Sequence, residues 1–111
     1  MKRHTIGWVD IPTKDFRIIK KIRFPRSEVP VYTYNRTTYD TWPVGAAFNF
    51  EVDEFGQITC ESDVEVPDGF VLSMAMNDAT VRWDWEQLII DDCELSNLTL
   101  LARPASAWRP W

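Results

Sequence analysis

Residues 46–76 read AAFNFEVDEFGQITCESDVEVPDGFVLSMAM, and their alternation limits what the chain can fold into. Phe48, Phe50 and Val52 share one parity; Asn49, Glu51 and Asp53 share the other. Successive side chains of a strand point to opposite faces, so the pattern is that of a half-buried strand. Glu54, Phe55 and Gly56 form a three-residue connection in which Gly56 supplies the left-handed conformation. Pairing Asp53 with Gln57 then sets the register. Val52 faces Ile58, Phe50 faces Cys60 and Phe48 faces Ser62 on the inside, while Glu51 faces Thr59 and Asn49 faces Glu61 on the outside. A slip of one residue would reverse every face. The second strand continues through Val64 and Val66, which leaves Glu61, Asp63 and Glu65 in an outward row. Pro67-Asp68-Gly69 has turn chemistry. Residues 70–76 then add a third strand, giving a meander with an acidic outer face.

The flanking segments read as further short strands. Residues 5–11 form one, with Trp8 as a core anchor. In residues 16–24, FRIIKKIRF, the isoleucines and aromatic ends favour a strand, and either conformation gives a basic face. Residues 31–38 carry Tyr32 and Tyr34 on one face. Asn77-Asp78 reads as a turn. Residues 80–90 read as a strand with Val81, Trp83 and Trp85 inward and Arg82, Asp84 and Glu86 outward. Asp91-Asp92-Cys93-Glu94 reads as an acidic loop, and residues 98–102 as the last strand. The expected fold is mainly β: one domain over 1–111, a single antiparallel sandwich or barrel of about eight short strands with at most one short helix. The alternative is an α+β fold with a helix at 13–24 or 79–90. A tail at 104–111 carries Trp108 and Trp111.

Composition narrows the function classes. With 45% hydrophobic residues among 111, the chain has the make-up of one globular domain. No apolar run approaches the roughly 20 residues that span a bilayer, and the N-terminus lacks the apolar core of a secretory leader. A cytoplasmic location is the expectation, the host's cytoplasm if the protein is viral. Cys60 and Cys93 are too few for a disulfide framework and read as buried thiols. The single histidine, His4, lies near the terminus and supports no histidine-based triad. Asp91, Asp92 and Glu94 lack calcium-loop spacing, and no zinc-type Cys/His pairing exists. No cofactor, metal site or catalytic set is therefore expected.

Charge is the strongest remaining signal. The net charge is −5, but residues 1–50 hold nine Lys/Arg against four Asp/Glu, and residues 51–111 hold three against thirteen. Such asymmetry either pairs internally or gives the molecule a field that steers a charged partner. Alternate residues on a strand lie roughly 6.6–6.8 Å apart, so Glu61, Asp63 and Glu65 would form a regular row of negative charge. With Glu51 they would imitate nucleic acid and occupy a partner's basic groove, supported by Asp84 and Glu86. In size, acidity, aromatic richness and absence of a catalytic set, the chain resembles small phage-encoded inhibitors of host machinery, including anti-CRISPR proteins. The resemblance implies a non-enzymatic module that occludes a basic or nucleic-acid-binding surface. Two other classes compete with it. One is a structural subunit that oligomerises through strand edges and the Trp108/Trp111 tail. The other is a carbohydrate-binding β-sandwich with exposed Trp and Tyr.

Overall fold

The computed structural model describes residues 2–13, 16–33 and 43–102. Among these residues seven strands form one curled sheet: β1 (Arg3–Trp8), β2 (Arg17–Ile19), β3 (Glu28–Thr33), β4 (Pro43–Val52), β5 (Gln57–Ser62), β6 (Phe70–Asp84) and β7 (Gln87–Ala102). Their order is β1-β5-β4-β3-β7-β2, with β6 paired to β7. The curl brings β6 back against β1, where Met74 covers Gly7, and the sheet becomes a nearly closed barrel. The mainly β expectation holds, and no helix occurs among the described residues, including the described parts of 13–24 and 79–90. None is therefore long and apolar enough to cross a membrane.

β7 organises the sheet. Its sixteen residues take β6 along one edge as an antiparallel partner. Its other edge takes two strands in parallel: β2 at Leu88–Ile90 and β3 at Leu98–Leu100. The sheet is thus mixed, not purely antiparallel. The expected acidic loop at 91–94 lies inside β7, and the expected turn at Asn77-Asp78 lies inside β6. Asp78 has φ 48°, and the pairing with β7 shifts between Asn77 and Thr80. Asn and Asp tolerate left-handed backbone, which suits a bulge as well as a turn. A second shift, at Ser96, moves the inward parity of β7 from Cys93 and Leu95 to Leu98 and Leu100.

The β4–β5 hairpin agrees with the sequence near its tip and departs from it further out. Val52 pairs with Ile58 and Glu51 with Thr59, as the alternation requires, but Val52 is exposed and not inward as expected. Asp53 closes the loop: its Oδ1 accepts from the N–H groups of Phe55 and Gln57 at 2.9 and 2.8 Å. Gly56 has φ 84°. A bulge follows between Phe48 and Glu51, with Asn49 at φ 55°. Beyond it Ala47, not Phe48, faces Ser62, and Phe48 faces Glu61. Phe50 is not opposite Cys60; it is half-buried and stacks on Phe24 with ring centroids 5.2 Å apart. Tertiary contacts hold the bulge. Arg3 donates to the Asn49 carbonyl and Asn49 donates to Glu61.

β5 ends at Ser62. Ser62 Oγ donates to the Ala46 carbonyl at 2.7 Å, and Asp63 Oδ1 accepts from Ala46 N–H at 2.8 Å. The chain then leaves the sheet through Pro67-Asp68-Gly69, whose turn bond runs from Phe70 N–H to the Pro67 carbonyl. β6 does not extend the hairpin into a meander, because it pairs with β7. The main core comprises Ile6, Val29, Val31, Ala47, Ile58, Cys60, Leu72, Leu95 and Leu98. A second cluster holds Ile19, Ile90 and Cys93. Trp8, expected as a core anchor, is only half-buried; Ile6 fills that role in β1.

Two glycines with similar backbones give one test of this packing. Both have left-handed φ, 84° at Gly56 and 83° at Gly69. A Cβ on Gly56 would lie 2.5 Å from the Val9 carbonyl oxygen, whereas a Cβ on Gly69 meets nothing within 4 Å. Gly69→Ala should cost about 1 kcal/mol, the conformational term alone. Gly56→Ala should cost about 3 kcal/mol, since a backbone clash adds to the strain. Urea denaturation of both variants measures the difference.

Candidate protein-interaction surface

In the far half of β6 and the turn after it, all residues at 77–86 are exposed, although the strand continues past its bulge as far as Asp84. It pairs with the start of β7 through Val81–Ile90, Arg82–Ile89, Trp83–Leu88 and Asp84–Gln87, and Trp85-Glu86 makes the turn. Together they form an arm. Val81 and Trp83 share one face and Arg82 and Asp84 the other, as strand alternation dictates. Trp83 is 71% exposed and Trp85 95%. Arg82 reaches back to Asp91 at 2.9 Å.

These aromatic positions correct the sequence reading, which placed Val81, Trp83 and Trp85 inside. The alternation is real, but the buried side chains belong to β7, where Ile89 and Ile90 are buried and Ile90 packs with Ile19 and Cys93. Phe16 adds to the apolar group. It is 62% exposed, and its carbonyl accepts from Leu88 N–H at 2.9 Å, so it flanks Leu88 on the side opposite Trp83. Trp85 has φ 59°. A bulky residue in left-handed backbone is a genuine outlier, and such strain clusters at functional segments. Asp84 and Glu86, expected as partner-binding residues, stand on either side of it and are exposed.

The other expected acidic residues are differently placed. Glu51 is exposed and lies 3.7 Å from Arg3. Glu61 accepts from Asn49, and Asp63 anchors the Ala46 backbone. Glu65 is exposed but lies beyond the end of β5. Glu61, Asp63 and Glu65 therefore do not form a straight strand row. Trp108 and Trp111 lie outside the described residues, as do Tyr34 and Trp42.

Of the basic stretch, Arg17, Lys20 and Lys21 are exposed, and Lys20 pairs with Asp10 at 3.0 Å. Arg23 binds Asp92 and Glu94 at 3.0 and 2.5 Å, which joins the basic and acidic halves. The hydrogen bond from Arg23 holds the Asp92 carboxyl below its usual range. No group of three or more His, Cys, Asp or Glu among the described residues is placed to hold a metal ion. His4 is half-buried in β1 opposite Cys60, not exposed at a free end, and burial lowers its pKa. Cys60 and Cys93 are free and buried, and desolvation pushes both thiols up to about 11. Neither has the lowered pKa of a reactive cysteine.

A scan against protein families, a search of curated proteins and a search of solved structures each return no match.

Proposed function

We propose that the protein is a non-enzymatic binding module whose β6–β7 arm docks on a partner with a basic surface. The observation that supports this reading is the exposure of Val81, Trp83 and Trp85 at the β6–β7 hairpin beside Asp84 and Glu86. Exposed apolar patches rimmed by polar groups mark interaction sites. Tryptophan is among the residues that dominate binding energy at protein interfaces. The carboxylates on the arm select against acidic partners. Glu51, Glu61, Asp63 and Glu65 add to the negative field of the second half of the chain, which speeds encounter with a basic surface. A phage-type inhibitor that covers a nucleic-acid-binding surface belongs to this class.

The test begins with affinity capture from native cells and mass-spectrometric identification of the retained protein. Titration of the purified pair then decides. Trp83→Ala should weaken binding roughly 30-fold, as loss of a 2 kcal/mol hot spot does. Affinity should also fall as salt rises, because screening grows. Replacing Glu61, Asp63 and Glu65 with Lys should slow association. Full affinity in the Trp83→Ala protein, unaffected by salt, would sink the proposal.

A further inference from the structure

β6 has an open edge. Its inner edge is taken by β7 from Phe70 to Asp84, and its outer edge pairs with no strand among the described residues. Natural edges are usually blunted by Pro, Lys or bulges. The bulge at Asp78 does this for 77–80, but 81–84 pairs with β7 in unbroken register and contains neither Pro nor Lys.

The ladder fixes which backbone groups face outward. A two-residue connection makes Asp84 and Gln87 the closing hydrogen-bonded pair. The next pair, Trp83 and Leu88, is non-hydrogen-bonded. The N–H and C=O groups of Trp83 and Val81 therefore point to the open edge.

We propose that two copies of the protein join along this edge as an antiparallel pair centred on Trp83. In that register Trp83 lies opposite Trp83 of the second copy, and Val81 lies beside the turn that carries Trp85. Arg82 lies opposite Asp84 on the other face, and two-fold symmetry makes each of these last contacts twice. The register centred on Val81 has the same backbone parity but sets Asp84 against Asp78. A register centred on Arg82 sets arginine against arginine and presents N–H groups already used by β7. An isologous contact needs such self-complementarity. The inference goes beyond the proposed function, since it uses the backbone edge and requires no other protein. Its product doubles the Val81/Trp83 face that the arm presents.

Sedimentation equilibrium of the full chain tests it. The wild type should show twice the mass of one chain. Asp84→Arg sets Arg beside Arg82 at both ends of the contact and should raise the dimer dissociation constant at least tenfold. Glu86→Arg makes the same charge change without a facing cation and should remain dimeric. Under mild oxidation Trp83→Cys should cross-link into a covalent dimer, because the native thiols are buried, and Val81→Cys should not. Should Asp84→Arg fail to fold, judged by circular dichroism, this cysteine pair decides instead. A single-chain mass for the wild type up to roughly 1 mM overturns the proposal. So does a dimer that Asp84→Arg leaves intact, or cross-linking at 81 in place of 83.

Discussion

Trp85→Gly should leave the protein as stable as before, or about 1 kcal/mol more stable, while partner binding weakens roughly 30-fold. The two effects have separate origins. Trp85 sits at φ 59°, a conformation glycine adopts without steric cost. Its side chain is 95% exposed, so the fold gains almost nothing from it. An interface anchor of this size is worth 2 kcal/mol or more once covered by a partner. Thermal unfolding and titration of the same preparation separate the terms. Lower stability with unchanged affinity would assign Trp85 to the fold and remove it from the interface.

The largest loss of stability should follow Leu98→Ala, at about 4 kcal/mol. Leu98 is fully buried and lies where three strands meet, opposite Met74 of β6 and beside Val31 of β3. Truncation there leaves a cavity that neither neighbour can close without moving its own ladder. Domains of this size are stable by only about 5–15 kcal/mol, so the variant should unfold well below the wild-type urea midpoint. Loss of under 1 kcal/mol would mean that the inward parity of β7 beyond Ser96 is wrong.

How much of this was legible depended on how local the cause was. The tip of the β4–β5 hairpin follows from Asp53 and Gly56, whose side-chain capping and φ are properties of five consecutive residues, and it was read correctly. The bulge at Asn49 depends on Arg3, forty-six positions away, and on Glu61. No periodicity encodes those contacts, so alternation alone misplaces Phe48, which faces Glu61, and misses the Phe50–Cys60 break in register, although Phe50 does pack on the core. Asn77-Asp78 carried a left-handed signal that a turn and a bulge share; only the pairing with β7 separates them. The acidic run at 91–94 looked like a loop because its charges need partners. Arg23 and Arg82 provide them within a strand. At the candidate surface, Asp84 and Glu86 were legible as exposed charges. Trp83 and Trp85 were not, since alternation implies one dry face, and here both faces of the strand are exposed.

The arrangement around β7 also sets the order in which the molecule can assemble. β2, β3 and β6 all await the same partner, and that partner is the last described strand to be synthesised. The β4–β5 hairpin can form early from local contacts. The parallel pairings cannot, because their loops close over some seventy residues, from Ile18 to Ile89 and from Val31 to Leu98. Such long-range topology folds slowly, in milliseconds to seconds. Until β7 leaves the ribosome, the strand Phe70–Asp84 therefore lacks its one ladder partner among the described strands. Leu72, buried in the finished sheet, is uncovered through that interval, and transiently exposed apolar surface of this kind is prone to aggregate.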